Sequence, residues 1–113
     1  MLFGLDKHTI DQIHAVFRQF PQIDTAIIYG SRAMGKHRNG SDIDLTLQGD
    51  QLDLHLLAAI SNQLDDLPML YSFDLSCLQH IDNPQLLDHI RRVGKIFYQN
   101  THSHSLPQAE PNQ

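Results

Sequence analysis

One cysteine, Cys77, is all that the 113 residues contain, so no disulfide can form within the chain, and a reducing, cytoplasmic setting is the expectation. Long apolar runs are also missing. None approaches the ~20 residues of a membrane span, and the opening MLFGLDKHTID lacks the charged-then-apolar order of a secretory signal, so no membrane association is expected. Positive charge is scarce: 8 Lys and Arg stand against 13 Asp and Glu, a formal net charge of −5. That argues against a general nucleic-acid binder, which carries a basic face. No internal repeat and no second domain can be found. What remains is an apolar content of 41%, enough for one small core.

The apolar positions alternate between helical and strand periods. Ile10, Ile13, Phe17 and Phe20, widened by Val16, mark one face of a helix over Asp6 to Phe20, with Asp6 as N-cap and Pro21 as its end. Thr25 to Tyr29 (TAIIY) reads as a buried strand. Gly30 breaks it, Ser31 to Met34 begin a short helix, and Lys36 to Gly40 (KHRNG) is a loop by composition. In Ile43 to Gln48, Ile43, Leu45 and Leu47 face the core while Asp42, Asp44, Thr46 and Gln48 face the other way. Leu52, Leu56, Ile60 and Leu64 predict a second amphipathic helix over Gln51 to Leu67, with Asp50 as N-cap and Pro68 as stop. Leu70 to Cys77 alternates again, with Asp74 on its polar side. Asn83-Pro84 opens a last helix whose stripe is Leu86, Leu87, Ile90 and Val93. Gly94 stands at its C′ position, and Lys95 to Tyr98 read as a final strand. The expected architecture is α/β (α+β): a small mixed sheet over residues 1–99, with helices on one face and the other face open as a site. Residues 100–113, polar and without periodicity, read as a flexible tail.

The chemistry concentrates between Tyr29 and Leu47. Asp42 and Asp44 lie two apart, hence on one side of a strand, and Asp74 shares the polar side of a later strand. If those strands are neighbours, ~4.8 Å apart, three carboxylates converge, which is costly at neutral pH without a counter-charge. Mg²⁺ supplies one through oxygen ligands, with phosphates completing its shell. Two such ions can clamp the attacking and leaving oxygens of an in-line phosphoryl displacement. Gly30 lets the backbone come close to a phosphate. The Ser31 hydroxyl and neighbouring N–H groups can hold phosphate oxygens. Arg32, Lys36 and Arg38 add local positive charge suited to a triphosphate.

Gly30-Ser31 followed by Asp42-Ile43-Asp44-Leu45, with Asp74 downstream, resembles the minimal nucleotidyltransferases of the DNA polymerase beta superfamily, in particular the MntA-type members found beside a small helical HEPN-domain protein. The resemblance covers about Asp24 to Tyr98. It implies that Asp42 and Asp44 bind metal, and that Asp74 holds the catalytic metal and helps deprotonate the attacking hydroxyl. Gly30 and Ser31 then form the nucleotide-phosphate turn, to which Arg32 and Lys36 add the local charge noted above. It further implies two Mg²⁺ ions, ATP as donor, and transfer of AMP with release of pyrophosphate. The acceptor would be a tyrosine of a HEPN-type RNase toxin encoded by the adjacent gene, in a hetero-oligomer with this chain as antitoxin. Met34 stands where the family often carries arginine.

Two other readings compete: a non-catalytic antitoxin that blocks its partner by contact, and a transferase acting on a small molecule such as an antibiotic. Three clustered carboxylates favour catalysis over pure binding. The short chain leaves little protein to build a small-molecule pocket. Cys77 and His80 have C-x-x-H spacing, but structural zinc takes four ligands and no second pair exists, so Cys77 reads as a core residue.

Overall fold

The computed structural model describes residues 1–100. Helix α1 (Lys7–Arg18) starts where Asp6 Oδ1 accepts the Thr9 N–H at 2.8 Å, and it buries Ile13, Val16 and Phe17. Strand β1 (Thr25–Tyr29) runs into a single helical turn, α2 (Gly30–Ala33). After the loop come β2 (Ile43–Gln48), α3 (Leu54–Asp65), β3 (Phe73–Cys77) with a 3-10 turn at Leu78–His80, α4 (Pro84–Val93) and β4 (Lys95–Gln99).

The sheet order is β3-β2-β1-β4. β1 pairs antiparallel with both β2 and β4, while β2 and β3 are parallel, joined through α3. The sheet is therefore mixed, as expected. Ala26, Ile28, Ile43, Leu45 and Leu47 are fully buried in one cluster with Ile13 and Phe17 of α1 and Ile60 and Leu64 of α3. Each large side chain so buried contributes ~1.5–3 kcal/mol. The N-terminal Leu5, also fully buried, seals this layer.

Helix α4 packs elsewhere. Ile90 is buried outside the main cluster, and a Cβ at Gly94 would crowd Ile27 Cγ2 at 2.8 Å. Ile27 shares its side of the sheet with Tyr29, so α4 lies across the β1 end of the face opposite α1 and α3. Gly94 caps α4 in an extended conformation, φ −61 and ψ 143. Its lack of a side chain serves this close approach rather than a left-handed turn.

Three of the boundaries that differ from the sequence expectation have a clear physical cause. The second helix begins after Asp53, whose Oδ1 accepts the Leu56 N–H at 2.8 Å; Asp50 is not its cap. The reason is Leu52, which is only 4% exposed. It plugs the core from a turn closed by its own N–H on Gly49 O, so the periodic apolar series starts before the helix does. Strand β3 starts at Phe73 rather than Leu70, because β2 offers no rung before Ile43 and Leu70 is fully exposed. Asn100, expected as the first residue of the tail, is tied into the fold. Its N–H donates to Asp24 O at 2.9 Å and its side-chain amide to Pro21 O at 3.3 Å. The rest of the expected tail lies outside the described residues.

Candidate active site

Strand register assembles the site. Tyr29 is the partner of Asp44 in the antiparallel β1–β2 ladder, and Asp44 is the partner of Asp74 in the parallel β2–β3 ladder. Directly paired residues point to one side of a sheet, so Tyr29, Asp44 and Asp74 form one row across three strands. Asp44 is half-buried, whereas Asp42, two residues before it, and Asp74 are exposed. The row beneath is Ile27, Thr46 and Ser76. Ser76 Oγ donates to Thr46 Oγ1 at 2.9 Å, and Thr46 Oγ1 lies 3.4 Å from Ser76 O. A ladder of hydroxyls thus floors the carboxylates.

The electrostatics record a deficit of positive charge. Burial raises the Asp44 carboxyl above its ordinary range, and the charges of Asp74 and Asp42 push it further, against weaker pulls from His89 and Arg32. The Tyr29 phenol is raised first by burial, then by Asp74 and Asp44, while the Ser76 side chain pulls the other way. Among the described residues no three His, Cys, Asp or Glu side chains stand together at ligating distance. Asp42 and Asp74 are exposed, and their charges reach Asp44. Three oxygen donors that repel one another on one face match the chemistry of a hard divalent cation, so the residues present fit Mg²⁺.

The turn into α2 touches this row. Gly30 has φ +73, and a Cβ there would overlap Asp44 Oδ2. Only glycine permits both the backbone angle and the contact. The Gly30 N–H donates to His89 Nε2 of α4 at 3.1 Å, and the His89 ring meets the Tyr29 ring edge to face, centroids 6.1 Å apart. Sequence reasoning missed His89. It sits at the margin of the α4 apolar stripe, and no motif marks it.

Arg32, expected to help hold phosphate, has a different task. It is 3% exposed. Its Nε and Nη2 donate to Ser41 O at 3.1 and 2.9 Å, and its Nη1 donates to Phe3 O at 2.9 Å. Its guanidinium lies 5.0 Å from the centre of the Tyr71 ring, a favourable cation–π contact. Arg32 thereby ties down Ser41, the residue before Asp42, and links the N-terminal segment to the loop. Ser41 in turn accepts the Arg38 N–H on its hydroxyl at 2.8 Å. Ser31 is half-buried beside Gly30, and Lys36 and Arg38 are exposed on the loop.

Residues 11–103 match the protein-family model described as polymerase beta, nucleotidyltransferase. Among solved structures, the fold is similar to a toxin–antitoxin complex with AMP-PNP, at 20% identity over 83% of this chain and 76% of that one, TM-score 0.66. It is also similar to the structure of a tri-AMPylated Shewanella oneidensis HEPN toxin in complex with MNT antitoxin, at 17% identity over 88% and 76%, TM-score 0.63. A third similar structure is the toxin–antitoxin MntA–HepT, at 17% identity over 87% and 76%, TM-score 0.63. No curated protein matches the chain. At these identities the structural likeness is one of fold. Among the described residues no helix is long and apolar enough to cross a membrane.

Proposed function

The chain belongs to the polymerase beta nucleotidyltransferase family, and from that premise we propose that it transfers AMP from ATP to a tyrosine of a HEPN-type RNase toxin in the cytoplasm, acting as the antitoxin of the pair. The observation that carries this reading is the shared row of Asp44 and Asp74 beside Gly30. It sets two carboxylates next to a left-handed glycine turn that lies against one of them. The neighbours in toxin–antitoxin complexes, one with an AMPylated HEPN toxin and one with AMP-PNP, support the partner and the donor.

In this reading Asp42, Asp44 and Asp74 hold Mg²⁺. When bound there, magnesium neutralises the triphosphate and the departing pyrophosphate. Ser31 receives the phosphates on the turn that Gly30 shapes, and Lys36 adds charge from the loop. Arg32 contributes at one remove, fixing Ser41 and so the direction in which Asp42 leaves the loop. The acceptor oxygen forms its bond to the α-phosphorus as the bond from that phosphorus to the bridging oxygen of pyrophosphate breaks. Asp74, the exposed member of the row, takes the acceptor proton. The half-open face leaves room for a partner to present its hydroxyl.

The test is incubation with labelled ATP, Mg²⁺ and the helical protein encoded beside this chain, with Asp42→Asn/Asp44→Asn as control. Label on the partner that vanishes in the double variant supports the proposal. A partner that binds tightly yet stays unlabelled identifies a contact-only antitoxin and refutes transfer.

A further inference from the structure

We propose that His89 is a positioning residue of the transfer site, acting through the Gly30 amide. The inference rests on the reading that the Gly30–Ser31 turn receives the nucleotide, and it adds α4 to a site otherwise built from β1, α2, β2 and β3.

The contact has a defined direction. Gly30 N–H donates and His89 Nε2 accepts at 3.1 Å, so Nε2 is the unprotonated nitrogen and the neutral ring carries its proton on Nδ1. The plane of the imidazole is held by its edge-to-face contact with Tyr29, 79° between rings. His89 thus fixes the peptide joining Tyr29 to Gly30. Gly30 is the residue at φ +73 that lies against Asp44 Oδ2. A glycine in this region has little intrinsic preference between φ signs, so an external acceptor is what selects the conformation of the turn. One consequence is that the Gly30 N–H is already engaged, and a triphosphate meets the turn from Ser31 onward.

Two measurements on the full-length protein test this. Affinity for Mg²⁺-ATP is measured by calorimetry, and exchange of the Gly30 amide is followed by NMR without nucleotide. Thermal unfolding serves as a control for folding. His89→Phe keeps the ring and its packing but removes the acceptor. It should weaken Mg²⁺-ATP binding about three- to tenfold and speed Gly30 amide exchange by a similar factor, the worth of one ordinary hydrogen bond, with the unfolding midpoint falling by no more than about 5 °C. His89→Gln, which restores an acceptor oxygen, should recover most of both. Unchanged binding and exchange in His89→Phe overturn the inference, as does a His89→Gln no better than His89→Phe. Tighter binding in His89→Phe also overturns it, because the imidazole would then be occupying the place of a phosphate oxygen. Failure of the wild type itself to bind Mg²⁺-ATP removes the proposed function and this role with it, whereas a wild type that binds beside an indifferent His89→Phe removes this role alone.

Discussion

Gly30→Ala and Gly35→Ala make a matched pair that separates backbone strain from damage to the site. Both glycines have nearly the same backbone angle, φ +73 and φ +72. A Cβ at Gly35 meets nothing within 4 Å, whereas one at Gly30 meets Asp44 Oδ2. Forcing an L-residue into the left-handed region costs about 1–2 kcal/mol, offset by about 0.4–1 kcal/mol of lost freedom in the unfolded chain. Gly35→Ala should therefore lose roughly 1 kcal/mol, or about 5 °C in midpoint for a domain of this size. Gly30→Ala bears the same strain and must also turn the Asp44 carboxylate off its rotamer, about 0.5–1.5 kcal/mol more. Its midpoint should fall by about 10 °C. Activity divides the two more sharply. Displacing a reacting group by ~1 Å can cost about 100-fold, so Gly30→Ala should lose about that much AMP transfer while Gly35→Ala stays near wild type. Circular dichroism melts and labelled-ATP transfer to the partner supply both readouts. Equal activity in the two variants would refute the claim that the Gly30–Asp44 contact sets the carboxylate.

Further predictions follow from the same geometry. Asp74→Asn removes a like charge from the rung beside Asp44 and should stabilise the protein at neutral pH by about 0.2–1 kcal/mol while abolishing transfer, checked by urea unfolding and labelling. Because the Asp44 carboxyl is raised in the folded chain, the native state holds more protons than the unfolded state between the unfolded and folded values. Stability therefore falls as pH rises through that window, and the cost is complete above it; Asp74→Asn should flatten this dependence in melts recorded across the carboxylate range. Arg32→Lys cannot reproduce the fork on Ser41 O and should lose about 1.5–3 kcal/mol in urea unfolding, with reduced transfer as Asp42 loosens. Asp53→Ala should cost about 0.5–2 kcal/mol as a lost N-cap, and Asp50→Ala clearly less, by the same melts.

What could be read from the sequence was periodicity; what could not was tertiary choice. Strand alternation put Asp44 and Asp74 on polar faces, but alternation names a face and never a neighbour. Their shared rung depends on the parallel pairing of β2 with β3, a long-range choice made by packing α3 against the sheet. Arg32 looked like a loop cation because charge predicts exposure. Its burial requires carbonyls from Phe3 and Ser41, residues on either side of it in sequence. His89 was invisible because one imidazole on a helix has no pattern; only the approach of α4 to the β1–α2 turn gives it a partner. The displaced cap at Asp53 has a local cause, since Leu52 continues the apolar series without being helical.

The parallel pairing also sets an order in time. Thr46 and Ser76, partners in the floor of the site, are 30 residues apart, and every rung of β2 on β3 spans the whole crossover through α3. The β1–β2 hairpin closes a much shorter loop, and short closures precede long ones in folding. A chain in which β3 has not yet docked already has the β1–β2 ladder and the Asp42–Asp44 pair, but no cross-strand carboxylate. Asp74 arrives late, bringing at one moment the last piece of the reactive row and the electrostatic repulsion that row entails. The carboxylate row and its cost in stability are thus acquired together when β3 docks, before β4 closes the still longer span to β1.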